Sequence, residues 1–438
     1  MKIILFFILL ISFSLQQGLL KRSRHSKHGE DCISDSACEE GLICKIYRCY
    51  TKYESYNLQS LGLLETNLCN YKKKCPNDKK CFRHRCIDKN SNIEQKINRT
   101  GIIEDVNLIF AGSIFLTKKP YLSGIKPNHT INYDHLFTYI SKYTKAADLS
   151  IVPLSSTFYI NDNEKKIIKN VKNTPKELGD AVVNAGFKVI LHGSKNAFSH
   201  KEKGIIKTIN FWKSKYPDIR FLGISSTVEE SQKDYFIFNK NNIKIGIINY
   251  SAFMIKSIPY KSKFMVNTIS KKKVEVLIPK LRQEVDFIIV CINWGEKYNL
   301  RPNQNEIEWA KTLAGLGVNL IIGNNPAYVQ PVSHVRANNG NTCLVFFSLG
   351  VLIGENIKKP DSLGALANIV ISKENGKTHI SSYNLIPTIN HNAESNQYRV
   401  YKLTEYNENL GKSVNSYFSM DNVKRNCRSI MGAFAHCG

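Results

Sequence analysis

From about residue 104 the chain is a succession of strand-length apolar runs: Val106–Ala111, Leu149–Leu154, Phe187–Leu191, Ile243–Asn249, Phe287–Ile292, Val318–Ile322, Cys343–Leu349 and Ala367–Ile371. Runs without polar alternation cannot lie on a sheet with a wet face, so the sheet they build must be covered on both sides. Amphipathic stretches at Tyr133–Ala146, Lys176–Ala185, Lys203–Lys215, Val274–Arg282 and Glu306–Leu316 supply the cover. Strand and helix in alternation predict βαβ units and an α/β fold. Gly112, Gly193, Gly295, Gly323 and Gly350 follow the strands. In open α/β sheets ligands bind beyond the strands' carboxyl ends, so a site is expected in those turns.

The segment before residue 104 obeys other rules. Eight of the 12 cysteines fall between Cys32 and Cys86. Cys32, Cys38, Cys44 and Cys49 are spaced x5, x5, x4, and Cys69, Cys75, Cys81 and Cys86 repeat that spacing 37 residues on. Units this short bury no core and need staples, and disulfides are the expected ones. Four cysteines allow three connectivities, which spacing leaves open. Zinc sites usually show closely spaced ligand pairs, which are absent here. The pattern resembles the four-cysteine units of Dickkopf-type N-terminal modules, a resemblance that implies binding rather than catalysis. The first unit is acidic (Glu30, Asp31, Asp35, Glu39, Glu40) and the second basic (Lys72, Lys73, Lys74, Lys79, Lys80).

Compartment follows from the N-terminus. Lys2, an apolar run to Leu15 and then Gln16-Gln17 match a secretory signal peptide over residues 1–17. No later apolar run approaches the roughly 20 residues that a membrane helix needs. The expected protein is secreted or lumenal, with no transmembrane segment after signal cleavage, and disulfides persist there. Residues 18–30 form a basic linker. The net charge of +25 is spread over Lys-rich helices with no nucleic-acid motif and no Gly-rich phosphate loop, so no nucleic-acid partner is expected. An unidentified protein or an acidic polymer is. Sequons at Asn98 and Asn128 fall in loops and are candidate glycan sites, whereas the one at Asn249 ends a strand.

Residues 104–390 carry landmarks in a fixed order: Leu108-Ile-Phe-Ala-Gly112; Ala147-Asp148-Leu-Ser-Ile-Val-Pro-Leu154; Ala185-Gly186-Phe187; Asn293-Trp294-Gly295; Leu316-Gly317-Val-Asn-Leu-Ile-Ile-Gly323; Pro326 with Val329-Gln330-Pro331; and Ser348-Leu349-Gly350. In this order they resemble the CapA poly-γ-glutamate capsule proteins, relatives of the calcineurin-like metallophosphatases. The resemblance implies a metallophosphatase-like layered α/β sandwich, preceded here by two small disulfide-rich repeats (31–90), with a metal site in the strand-end turns. At that site this chain departs from the pattern. Ser113 stands where relatives carry the Asp of Gly-Asp, and Ser155 replaces the Glu of Asn-Leu-Glu. Asn196 and Ser199 take the places of a His and an Asp. Asn293 stands for the His of His-Trp-Gly, with Lys297 where a Glu is usual. Gly-His-His-Pro-His becomes Gly323-Asn324-Asn325-Pro326-Ala327, and Val351 replaces an Asn. A divalent metal needs carboxylate or imidazole donors in sufficient number, and activates water only when so held.

The resulting expectation is a catalytically degenerate binding or structural protein with no cofactor. The alternative is an active metal-dependent hydrolase or amide-bond enzyme acting on polyglutamate-like or phosphoester substrates, with Mn, Fe or Zn on rewired ligands such as His192, His200 and His334. Lys195 and Lys297 border the pocket and are candidates for an anion site once metal is gone. Asp134, His135 and Asp180 fall on helical stretches and read as helix surface. Cys291 and Cys343 read as buried thiols. Residues 391–438 form a C-terminal tail in which Cys427 and Cys437 could close a local bridge.

Overall fold

In a computed structural model the chain is described over residues 42–45, 48–51, 79–82, 85–88, 104–158, 174–253, 255, 257–354, 363–391 and 398–438. It divides into two compact units, Met1–Thr100 and Gly101–Gly438. The signal peptide, the basic linker, the pairing of the eight clustered cysteines and Asn98 lie outside the described residues. In the first unit β1 (Leu42–Lys45) pairs antiparallel with β2 (Arg48–Thr51), and β3 (Lys79–Phe82) with β4 (Arg85–Asp88). Cys44 is in register with Cys49, and Cys81 with Cys86. The sequence repeat is thus a backbone repeat.

In the second unit the strands are β5 (Glu104–Ala111), β6 (Ser113–Ile114), β7 (Leu149–Pro153), β8 (Val189–Leu191), β9 (Arg220–Leu222), β10 (Tyr235–Lys240), β11 (Ile243–Ser251), β12 (Phe287–Asn293), β13 (Leu320–Asn324), β14 (Val332–Arg336), β15 (Thr342–Phe346), β16 (Val351–Ile353), β17 (Leu363–Glu374), β18 (Lys377–His391) and β19 (Arg399–Lys402). Two large sheets stand where the run of strands suggested one. One has the order β19-β18-β17-β5-β7-β8-β9, the other β10-β11-β12-β13-β15-β14. Each holds a parallel block, β5-β7-β8-β9 with antiparallel strands on one flank and β11-β12-β13-β15 with an antiparallel strand on each.

Strand periodicity sorts the apolar runs between layers. Val106, Leu108, Phe110 and Ile151 point inward against Ile245, Ile247, Phe287, Ile289 and Phe346 of the other sheet. Their neighbours Ile109, Val152 and Ile190 face outward onto helical residues Leu136, Leu178, Val182 and Trp212. On the opposite outer face Ile248, Ile288, Val290 and Ile321 meet Val274, Ile278, Ala310 and Leu313. The helices are α1 (Lys118–Ser123), α2 (Ser141–Ala146), α3 (Lys176–Asn184), α4 (Lys201–Lys215), α5 (Val228–Gln232), α6 (Lys271–Arg282), α7 (Gln304–Gly315), α8 (Glu408–Val414) and α9 (Met420–Met431). The result is a four-layer helix–sheet–sheet–helix sandwich.

Three expectations are refined. The stretch Tyr133–Ala146 is not one helix but a 3-10 turn at Asp134–Phe137 followed by α2. Cys291 and Cys343 are both buried and free, and they face different layers, Cys291 the space between sheets and Cys343 the outer face. Beyond residue 398 the chain supplies edge strand β19, and Val423, Cys427 and Met431 of α9 join the inter-sheet core. Cys427 and Cys437 are disulfide-bonded, with Cα atoms 5.8 Å apart.

Candidate functional site

The parallel blocks end their strands in turns that meet across the sandwich. Gly112 follows β5, and a Cβ there would sit 2.8 Å from the Gly350 and Leu349 carbonyl oxygens, so only glycine lets these two turns approach. Gly323 is held the same way, with the Phe347 oxygen 2.0 Å from where a Cβ would be. Between the turns runs a polar lattice. The Ser113 hydroxyl donates to Asn324 Oδ1 at 3.5 Å, and Ser194 Oγ donates to the Ser155 carbonyl at 2.7 Å. The Lys195 amide donates to Asn293 Oδ1 at 3.2 Å, and the Gly193 amide to Asn249 Oδ1 at 2.6 Å. Asn325, with φ +103°, donates its amide to the Trp294 and Gly295 carbonyls at 3.0 and 2.9 Å.

Ser113, Ser155, Asn293 and Asn324 are therefore brought together and buried; the Ser113, Asn293 and Asn324 side chains are tied to one another or to backbone, and Ser155 takes part through its carbonyl. Asn196 is half-buried, its amide donating to Ser194 Oγ at 3.2 Å. Ser199 lies in an exposed turn with its N–H on the Asn196 carbonyl. Ala327 is buried and offers no donor. Neutral hydroxyls and amides that already serve as turn braces do not fit a Mn, Fe or Zn ion, which needs negative or imidazole ligands. Among the described residues no three His, Cys, Asp or Glu side chains cluster.

The histidines are scattered. His192 is buried and accepts the Trp212 indole N–H at Nε2, 2.9 Å, which leaves its proton on Nδ1. Burial holds its pKa down to about 3. His200 precedes α4, and His334 lies exposed on β14, its ring 6.3 Å from that of Tyr383. Asp134 and Asp180 behave as surface groups: Asp134 accepts from Asn132 and Asn184, Asp180 from Lys215 and Tyr216. His135 does not. It is half-buried, its Nε2 lies 2.9 Å from Ser123 Oγ, and burial chiefly, with Lys126 and Arg399, lowers its pKa to about 4. The Ser123 hydroxyl also lies 2.8 Å from the Pro120 carbonyl, so that carbonyl and the imidazole share it.

Lys195 and Lys297 rise from the turns after β8 and β12. Lys195 is half-buried with its ammonium 5.3 Å from the Phe253 ring centre; exposed Lys297 has its own 5.3 Å from that of Phe115. Burial, then the charge of Lys297, brings the Lys195 pKa down to about 8. Neither lysine takes part in an ion pair among the described residues.

Two buried carboxyls were not anticipated. Glu306 forms a capping box with Asn303 at the start of α7, with Oε2 accepting the Asn303 N–H at 2.9 Å. Its Oε1 would lie 2.5 Å from a Cβ at Gly295, and burial raises its pKa. The signal was present as Asn303-x-x-Glu306. Asp234 accepts the Gly223 N–H at both oxygens, 3.1 and 3.0 Å, and burial pushes it up to about 7 against the pull of that N–H, Lys273 and Asn267. Nothing local in the sequence marks it.

The two sequons with described residues differ. Asn128 is exposed, its Oδ1 accepting from the Thr130 amide and hydroxyl at 3.2 and 2.7 Å. Asn249 is buried in the lattice.

Solved structures similar to this chain include a calcineurin-like phosphoesterase from Bacillus subtilis (13% identity, 74% of this chain and 98% of that one, TM-score 0.40) and the NAD nucleotidase of Haemophilus influenzae (12%, 72% and 56%, TM-score 0.41). At that level of superposition neither carries an argument about the site. Among curated proteins the chain is similar to the capsule biosynthesis protein CapA of Bacillus anthracis (25% identity over 230 residues, 50% of this chain and 53% of that one) and to the PGA biosynthesis protein CapA of Bacillus subtilis (21% over 221 residues, 50% and 56%). The chain spans about half the length of these relatives. Residues 107–356, more than half of the chain, match the family described as bacterial capsule synthesis protein PGA_cap, and the chain belongs to that family.

Proposed function

We propose that this chain is a secreted member of the family that has lost metal-dependent chemistry and works by binding. The observation that carries this reading is the donor set. Ser113, Ser155, Asn293 and Asn324 are neutral and buried at the strand ends, and the side chains of Ser113, Asn293 and Asn324 are spent on bracing the turns. A metal-bound water becomes a nucleophile near neutral pH only on a metal that is firmly held, and neither hydroxyls nor amides supply that hold. Secretion is supported by the N-terminal apolar run and by the Cys427–Cys437 bridge, since such bonds persist in oxidising compartments. The paired four-cysteine repeats favour a binding role, and the exposed Asn128 is suited to carry a glycan.

Metal analysis of the full chain, purified from the secretory route without chelator, tests the reading. The expected result is well below one Mn, Fe or Zn per chain and no hydrolysis of bis(p-nitrophenyl) phosphate above buffer. Stoichiometric metal, with hydrolysis abolished by EDTA, would establish the other reading, a metal-dependent hydrolase on rewired ligands.

A further inference from the structure

We infer that Lys195 and Lys297 form the two poles of a binding site for a small dianionic oxyanion, a phosphate monoester or a dicarboxylate, at the turns that follow β8 and β12. The inference rests on the silent-enzyme reading, because carboxylates at the metal-ligand positions would repel such a ligand.

The placement comes first. Lys195 belongs to the turn after β8 in one sheet, and Lys297 to the turn after β12 in the other. The Lys195 amide is fixed to Asn293 Oδ1 at 3.2 Å, and Asn293 lies four residues before Lys297. The two turns are therefore latched together, and both lysines start from the latch. Each ammonium lies 5.3 Å from an aromatic ring centre, Phe253 for Lys195 and Phe115 for Lys297. A ring face supports one side of a cation and leaves its other N–H donors free.

Charge balance comes second. The positive groups feel each other, and the Lys297 charge disfavours the protonated form of Lys195. Like charges drawn together in a partly buried place oppose folding unless something offsets them. No ion pair among the described residues does so. The groups beside the latch, Ser113, Ser155, Asn293 and Asn324, are neutral, and the side chains of Ser113, Asn293 and Asn324 are already hydrogen-bonded. Glu296, next to Lys297 in sequence, accepts from Asn299, and Glu306 accepts the Asn303 N–H in its capping box beside Gly295; neither forms an ion pair with Lys195 or Lys297. An anion from outside would give the two ammonium groups the direct partner that no carboxylate among the described residues supplies.

Ligand class follows from the donors. Two ammonium groups on separate turns are point charges and lack the planar fork of arginine. They suit an anion that presents oxygens in two directions and carries more than one charge. Phosphate monoesters and dicarboxylates share that property, and monocarboxylates do not.

Calorimetric titration of the full secreted chain in EDTA with inorganic phosphate, and separately with glutarate, tests the inference. Saturable binding of at least one is expected, and which one binds distinguishes the two sources. Lys195→Gln and Lys297→Gln should each weaken it by about tenfold or more, the loss of one charged contact. The double variant should show no binding. Absence of binding by both anions, or affinity unchanged in the double variant, would overturn the inference. Wild-type protein gives a second readout that needs no variant: the bound anion should protect Lys195 and Lys297 from reductive methylation, and equal labelling with and without anion also overturns it. The parent reading fails on a different measurement, stoichiometric metal, so the two failures are separable. Anion binding that vanishes in EDTA counts against this site.

Discussion

Two lysines are drawn into the body of the large unit, and the protein treats them differently. Lys273, in the first turn of α6, donates to Asn267 Oδ1 at 2.7 Å and lies close enough to Asp234 for that carboxylate to favour its charge. Asn267 in turn donates to the Asn249 carbonyl at 3.0 Å, and Asp234 takes the Gly223 amide. That network closes on itself: each amide has an acceptor, and the charged group acting on Lys273 is of opposite sign. Lys195 has burial without balance, since the charge acting on it is another lysine. Buried charges are ordinarily paired. A group that breaks the rule beside the strand ends is a candidate for function, whereas one that obeys it is structure. On this comparison Lys273 and Asp234 hold the turns in place, and Lys195 faces what comes from outside.

The largest effect should come from breaking the closed network. Asp234→Ala strips the Gly223 amide of its acceptor and leaves Lys273 partly buried without its carboxylate. Asp234 and Lys273 are not in ion-pair contact, so the cost is chiefly that of a buried amide left without its acceptor, about 1–3 kcal/mol. Denaturant unfolding checks it, and a loss under about 1 kcal/mol would erase the contrast between the two lysines. Asp234→Asn keeps an acceptor for Gly223 and should cost about 1–2 kcal/mol near neutral pH. It should also flatten the pH profile. Because the folded pKa of Asp234 is raised from 3.8 to about 7, the folded state holds the extra proton between those values. The carboxyl's contribution to stability is full below about pH 4 and is lost as pH rises through 7.

How much of this was legible in the sequence divides along the same line. The apolar runs located the parallel strands of both sheets except β9, because a strand covered on two faces must be apolar throughout. They missed β9, β10, β14, β18 and β19, which lie at or toward the sheet edges. There one face is wet and the residues alternate, as in Lys377-Thr-His-Ile-Ser-Ser-Tyr of β18. The second sheet was hidden for a related reason: the period of a strand says which residues are buried but not which sheet receives them. At the strand ends the turn residues were readable, since strand ends converge in such folds, and the family's order of landmarks put Lys195 and Lys297 beside them. Asp234 was not. Its partners Gly223, Asn267 and Lys273 are remote in sequence, and only the fold makes a network of them.

The smallest effect has the most informative sign. Lys195 has its folded pKa lowered from 10.5 to about 8, so between those values the unfolded chain binds more protons than the folded one. Stability must therefore rise with pH across that window and be lost as pH falls through 8, the reverse of the Asp234 trend. Lys195→Gln removes the charge and its desolvation, so without ligand at pH 7 it should leave stability unchanged or raise it by up to about 1 kcal/mol. The gap between variant and wild type should close near pH 10.5, as the wild-type amine becomes neutral in both states. Lys297→Gln should act through Lys195 instead, lifting its pKa above 8, which NMR of the labelled side chain would follow. Thermal unfolding from pH 6 to 10.5 separates the cases. A Lys195→Gln variant less stable than wild type at pH 7 would mean that the ammonium is structurally satisfied, as Lys273 is, and the two turns would lose their reason to bind an anion.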